Sequence, residues 1–248
     1  MHLLDSPFTL FVLSFVILLL AAQIGDQVRR RLLPLKDEER NDFGIVLGAT
    51  LTMLGLLIGF TFSMAVSRYD QRKNYEEAEA NAIGTEYVRA DLLPANDASK
   101  VRELLRRYTD QRVLFYTTRD LQKIAKINAD TAELQTQMWL AVRPAAAAPT
   151  PLLALAVSGM NDVLNSQGYT QAVWWNRIPG AAWLLMLAIA ICSNFLLGYG
   201  AHQRTFIVVP LAVAISFFLI SDIDSPRGGE ILVVPQNLIA LSQSFGGQ

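Results

Sequence analysis

The stretch 54-LGLLIGFTFSMAVSRYDQRKNYEEAEANAIG-84 changes character half-way along. Residues 54–66 carry no charge, and the next thirteen, 67–79, carry seven. No proline and no turn-forming cluster marks the change. A segment without a breaker at such a junction reads as one helix leaving an apolar medium for water. Taken from Phe43 to Leu92, it has 50 residues, about 75 Å at 1.5 Å per residue. Such a helix couples a membrane to the water beside it, or simply anchors a soluble domain.

Composition agrees with the apolar half. Of 248 residues, 52% are hydrophobic and 17% charged, against about 25% charged in soluble domains. Net charge is −1, which gives no basis for binding nucleic acid. The single cysteine, Cys192, excludes an intrachain disulfide, and the two histidines, His2 and His202, offer nothing for a zinc or histidine-centred site. No nucleotide loop, GxSxG, HExxH or CxxC occurs. The expectation is a protein without metal or cofactor that is not an enzyme.

Four segments have the length and apolarity of membrane spans: Pro7–Ile24, Phe43–Val66, Ile178–Tyr199 and the shorter Thr205–Ile220, which contains Pro210. The first lacks a basic n-region and reads as a retained anchor. The expected fold is an all-α membrane protein with four transmembrane helices in two hairpins and a helical soluble region between them. The boundaries are 1–66 for the first hairpin (spans about 7–24 and 43–66), 67–177 for the soluble domain, 178–220 for the second hairpin and 221–248 for a C-terminal tail.

In the soluble region, Tyr69, Glu76, Ile83 and Ala90 recur every seven residues, with Lys73, Ala80 and Tyr87 between them. A second helix covers 96–125, capped by Asn96 or Ser99, and a third runs from Asp130 to Val142. The proline-bearing 143–151 is a linker, and another helix leads to Trp174, Trp175 and Arg177, residues suited to the headgroup level. Cations near the spans number six on the loop side and five on the other, so orientation stays open.

Small residues line the second span: Gly44, Gly48, Thr52, Gly55, Gly59 and Ser63. Such a face lets backbones approach closely, against another helix of the same chain or against a second subunit. Arg68, Arg72 and Lys73 follow at the mouth of the span, where cations concentrate anions, snorkel to lipid phosphates or pair with Glu76 and Glu77. Arg106, Arg107, Arg112 and Arg119 read as a solvated helix face bridging to acidic residues of the preceding helix. Asn194 in the third span reads as bonding to a neighbouring helix, and Asp222 and Asp224 as shaping the turn at Pro226–Gly229.

A family resemblance joins these features. In GFTFSMAVSRY, the residues Gly59, Phe60, Arg68 and Tyr69 have the spacing of the pore-lining second helix of bestrophins. LRRYTDQRVLF (Leu105–Phe115) resembles the basic, aromatic helix that follows it, and DIDSPRGG the segment after the last span. EEAEANAIGTEYVRADLLP and SDIDSPRGGEILVVPQ are closer still to the bacterial bestrophin-like membrane family, over most of the chain.

The resemblance implies a homo-oligomer, a pentamer in bestrophins, conducting small anions such as chloride across the bacterial inner membrane. Carried over by position, the pore constriction is Thr52, Leu56 and Phe60, one turn apart, and the pore mouth Arg68 and Arg72. Gly44, Gly48, Gly55 and Gly59 are the helix-packing residues. An apolar ring gates by dewetting. Thr52 departs from the apolar pattern, which shifts the narrowest point to Leu56 and Phe60. The acidic calcium-binding run of animal bestrophins is missing, so calcium gating is not implied. The partners expected are further copies of the chain, lipid and small anions, with no nucleic acid. The competing reading is a non-conducting membrane-anchored sensor or scaffold whose helical domain binds a partner.

Overall fold

The computed structural model describes residues 6–31, 37–143, 150–200 and 207–246. Among these the chain is all helical: α1 (Pro7–Arg31), α2 (Asp37–Arg89), a 3-10 turn (Ala90–Leu92), α3 (Ala95–Thr117), α4 (Leu121–Val142), α5 (Pro151–Trp175), α6 (Gly180–Gly200), α7 (Val208–Asp224) and α8 (Gln236–Gly246). It divides into two compact units, Met1–Arg68 with Arg177–Leu232, and Tyr69–Asn176 with Val233–Gln248. The boundary falls inside α2, whose 53 residues run without a break through the change from apolar to charged sequence.

Three helical stretches are long and apolar enough to cross a membrane: Pro7–Arg31, Glu39–Leu92 and Pro151–Gly200, the last containing α6. The fourth expected span is the 17-residue α7. It begins at Val208, so Pro210 falls in the first turn, where its missing N–H costs no helix hydrogen bond. Inside the first unit the second hairpin is not a tight pair. Helix α1 packs along both α6 and α7, which meet each other only slightly.

Glycine explains that central position of α1. A Cβ at Gly198 would collide with the Ala22 carbonyl oxygen, and one at Gly25 with the Phe195 carbonyl oxygen. These are the close backbone approaches that association within lipid uses. On the α7 side, Phe11 meets Phe218 edge-on at 6.2 Å. The α1 C-terminus carries Arg29, Arg30 and Arg31, favourable at the negative end of the helix dipole.

The second unit has a conventional apolar core. Ile83 of α2, Leu105, Tyr108 and Phe115 of α3, Met138 of α4 and Met160 of α5 are all almost fully buried in it. The seven-residue stripe lies on the inner face, with Glu76, Ala80, Ile83, Tyr87 and Ala90 buried and Lys73 exposed. The helix expected over 96–125 is two helices. It breaks at 118–120, where the Asp120 carboxylate accepts from the Gln122 and Lys123 amides and starts α4 nine residues before the expected Asp130. Helix α3 begins at Ala95 without a side-chain cap, so neither Asn96 nor Ser99 serves as one. Thr150 caps α5 at the Leu153 amide, with Pro151 opening the helix. Of the linker 143–151, residues 144–149 lie outside the described residues, as do His2, His202 and Arg204. Trp174 packs in the core of the second unit, and its neighbour Trp175 is exposed.

Candidate functional site

The membrane stretch of α2 is nearly bare. Only 6% of its most apolar window is buried within the chain. Leu54, Thr61 and Ala65 are its buried positions, while Thr52, Leu56 and Phe60 are exposed, the last two by 53% and 64%. The Thr52 hydroxyl donates to the Gly48 carbonyl at 2.8 Å, so its proton is used inside the helix. Around Gly44, Gly48, Gly55 and Gly59, an added Cβ would meet nothing within 4 Å among the described residues. Gly25 and Gly198, by contrast, pack against facing backbone within the chain.

Arg68, at the end of this stretch, is fixed by α7. Its Nη1 donates to Asp224 Oδ1 at 3.3 Å, with the Arg68 side chain 15% exposed and Asp224 3%. Asp224 also accepts from the Ile178 amide at 3.1 Å and lies 3.7 Å from Arg177 Nε. One carboxylate thus ties the end of α7 to the start of α6 and to α2, compensated by two guanidinium groups. Two residues earlier, Asp222 accepts from the Glu230 and Ile231 amides at 2.8 and 2.9 Å. A Cβ at Gly229 would press on this carboxylate, so the tight turn after α7 is built around Asp222. Arg72 is buried at 2% exposure in the second unit.

A second polar cluster crosses the core of that unit. Arg112 and Glu79, both fully buried, form an ion pair through Nε–Oε1 and a 3.3 Å contact through Nη2–Oε2. Thr170 and Tyr116 hydroxyls donate to the same carboxylate at 3.1 and 3.4 Å. Burial disfavours the Arg112 charge, but Glu79, with Tyr108 and Tyr116 adding to it, outweighs burial and raises the guanidinium above its usual value. Arg112 therefore leaves the expected solvated helix face, where Arg107 remains, while Arg119 lies exposed in the break between α3 and α4. Arg112 does bridge to an acidic residue of the preceding helix. Arg106 donates to the Tyr87 hydroxyl at 2.7 Å. The Glu76 carboxylate accepts from the Leu238 amide and the Asn237 side chain at 2.9 and 2.7 Å, a favourable charge at the N-terminus of α8.

Glu86 differs from both. It is buried, and neither carboxyl oxygen has a hydrogen-bond partner among the described residues. It presses against α5 where Gly159 leaves room. Burial pushes its pKa up to about 8, with Arg89 opposing and Asp162 adding to the rise. In α6, Asn194 donates to Ala190 of its own helix at 2.8 Å rather than to a neighbour. Among the described residues, no group of three His, Cys, Asp or Glu is placed to hold a metal ion.

The sequence pattern of the Bestrophin-like domain matches residues 12–238. The chain belongs to the Bestrophin-like family. Solved structures of a bacterial Bestrophin homolog from Klebsiella pneumoniae share the fold of this Bestrophin-like chain. One aligns at 15% identity over 98% of this chain and 99% of that one, with a TM-score of 0.64. Another aligns at 14% identity over 98% and 97%, with a TM-score of 0.65. No curated protein matches by sequence. The Bestrophin-like chain is thus an all-helical membrane protein with the fold of bestrophin homologues.

Residues read from sequence for the membrane half lie on α2, and the structure adds Asp224 as the partner of Arg68. The signal for it was present, since DIDSPRGG was singled out for its turn. Glu79 and Glu86 lie within EEAEANAIGTEYVRADLLP and Arg112 within LRRYTDQRVLF, but neither stretch signalled the pairing of Arg112 with Glu79 or the burial of Glu86.

Proposed function

We propose that this protein is a homo-oligomeric membrane channel for small anions, chloride first, with α2 lining the pore. The observation that carries this reading is the uncovered membrane face of α2, with Leu56 and Phe60 exposed one turn apart. A helix meant only for lipid has no use for four glycines that none of the described residues of its own chain approaches. Copies of the chain packed through that glycine face bring Leu56 and Phe60 to a common axis, where apolar rings gate by dewetting. Thr52 sits one turn before them, its hydroxyl already satisfied.

Arg68 is the mouth cation. Asp224 balances much of its charge, so anions are drawn there by a tuned field rather than by a bare guanidinium. Arg72 is left out of the mouth because it is buried. Helix α7, about 26 Å long at 17 residues, is the fourth crossing, at the short end of what a bilayer of about 30 Å takes. A pentamer in the bacterial inner membrane is the assembly that the bestrophin resemblance favours. Mass measurement of the detergent-solubilised protein tests the first requirement: a stable oligomer is expected, and a stable monomer contradicts an axial pore.

A further inference from the structure

The membrane unit holds an apolar furrow that the pore does not use. It has a volume of about 480 Å³ and lies between α1 and α6. Its walls are Ile17, Leu20 and Ile24 on one side and Ile191 and Phe195 on the other. The small side chains of Ala21, Ala188 and Cys192 leave its floor open. Its origin is the close approach at Gly25 and Gly198, which draws the two backbones together beneath larger flanking residues. The furrow is almost wholly apolar, so it suits a hydrocarbon chain.

Its α1 wall follows a seven-residue line. Ile17, Ile24 and Arg31 lie on one helix face, each step about 10.5 Å along the axis. One leaflet of a bilayer provides roughly 15 Å of hydrocarbon, half of about 30 Å. A chain starting at Ile17 thus ends about 6 Å short of Arg31 along the axis, a gap the long Arg31 side chain spans because helical side chains lean toward the N-terminus. Asp26 engages Arg29 and Arg30 at 2.6 and 2.9 Å, and Arg31 stands exposed outside that clamp.

We infer that the α1–α6 furrow is a binding site for one anionic phospholipid, its acyl chain over Ala21 and Ala188 and its phosphate on Arg31. Charge complementarity selects the occupant: a furrow with an exposed guanidinium one seven-residue step beyond its α1 wall, paired with no acidic side chain among the described residues, fits an apolar chain ending in an anion. A zwitterionic lipid gains less there, and a second helix gains nothing from Arg31. The inference holds whether or not the protein conducts ions.

The test is native mass spectrometry of the full-length protein from detergent, offered phosphatidylglycerol or phosphatidylcholine of matched chains. Retention of phosphatidylglycerol is expected to be about fivefold higher, the effect of one basic residue near an anionic headgroup. Arg31→Gln removes the preference, and Ala188→Trp, which fills the furrow, lowers retention of both lipids. Cys192→Phe fills the same space if the tryptophan variant does not fold. Equal retention of the two lipids by the unaltered protein overturns the site. So does unchanged retention in a folded filled variant. Efficient Cys192–Cys192 cross-linking between copies in bilayers also overturns it, because a second copy then covers the furrow.

Discussion

Arg112 of α3 reaches across the core of the second unit to Glu79 of α2, and both side chains are completely buried. Removing one partner leaves the other charged in a low-dielectric core. Arg112→Ala is therefore expected to cost roughly 3–5 kcal/mol. The paired replacement Glu79→Gln with Arg112→Met is expected to cost much less, because neither charge of the pair is left buried without the other. Thermal unfolding of the purified protein compares them, and equal losses for the single and paired variants would contradict an uncompensated charge as the cause.

Glu86 gives stability a pH dependence. Its folded-state pKa of about 8 lies above the ordinary 4.5, so between these values the folded chain holds a proton that the unfolded chain has released. The contribution is complete below about 4.5 and declines as pH rises toward about 8, where it levels off. Glu86→Gln is expected to flatten the melting temperature between pH 5 and pH 9. At the alkaline end it should stabilise by roughly 1–3 kcal/mol. An undiminished pH slope in the variant would assign the dependence to other groups.

Glycine substitutions distinguish helix contacts within the chain from the contact proposed between copies. Gly25→Ala and Gly198→Ala force a methyl into a facing backbone and are expected to destabilise by roughly 1–3 kcal/mol each. Gly55→Ala and Gly59→Ala meet nothing among the described residues of the chain. They should leave helical content and melting nearly unchanged while weakening the oligomer. Circular dichroism beside light scattering reads both effects, and unaltered assembly in the last two variants would remove that face from the subunit contact.

Asp224 holds Arg68 and Arg177 together with the Ile178 amide. Asp224→Asn keeps the shape and deletes the charge, at an expected cost of about 1–3 kcal/mol. With its counter-charge gone, Arg68 should raise anion over cation permeability. Reversal potentials in planar bilayers measure this, and a shift toward cations would contradict Arg68 as the mouth.

The membrane half of this fold is written openly in the sequence because a bilayer demands long uncharged runs. Pro7–Ile24 and the uninterrupted exit of α2 were legible for that reason. Pro210 was harder, since its effect depends on where α7 begins, and Val208 places it harmlessly in the first turn. The break before α4 hung on one side chain, Asp120, whose capping competes with a pattern that could continue as helix. The glycine stripe of α2 was conspicuous by spacing, whereas Gly25 and Gly198 stand alone and acquire meaning only when two distant segments meet. Burial of Arg112 was hidden for a similar reason. Its partner lies 33 residues away, and a helix with four arginines resembles a solvated face until Glu79 is found across it. Arg68 stood at the end of the apolar run in plain view, but Asp224, 156 residues on, was needed to show how it is held.

Anion flux through purified protein in liposomes, with Leu56 and Phe60 altered, tests the pore most directly. Chloride flux above that of empty vesicles is expected, and Leu56→Ala with Phe60→Ala should raise it by widening and wetting the constriction. Flux no greater than in empty vesicles, from an oligomeric protein and from the paired variant alike, would contradict the channel and leave a membrane-anchored scaffold in its place.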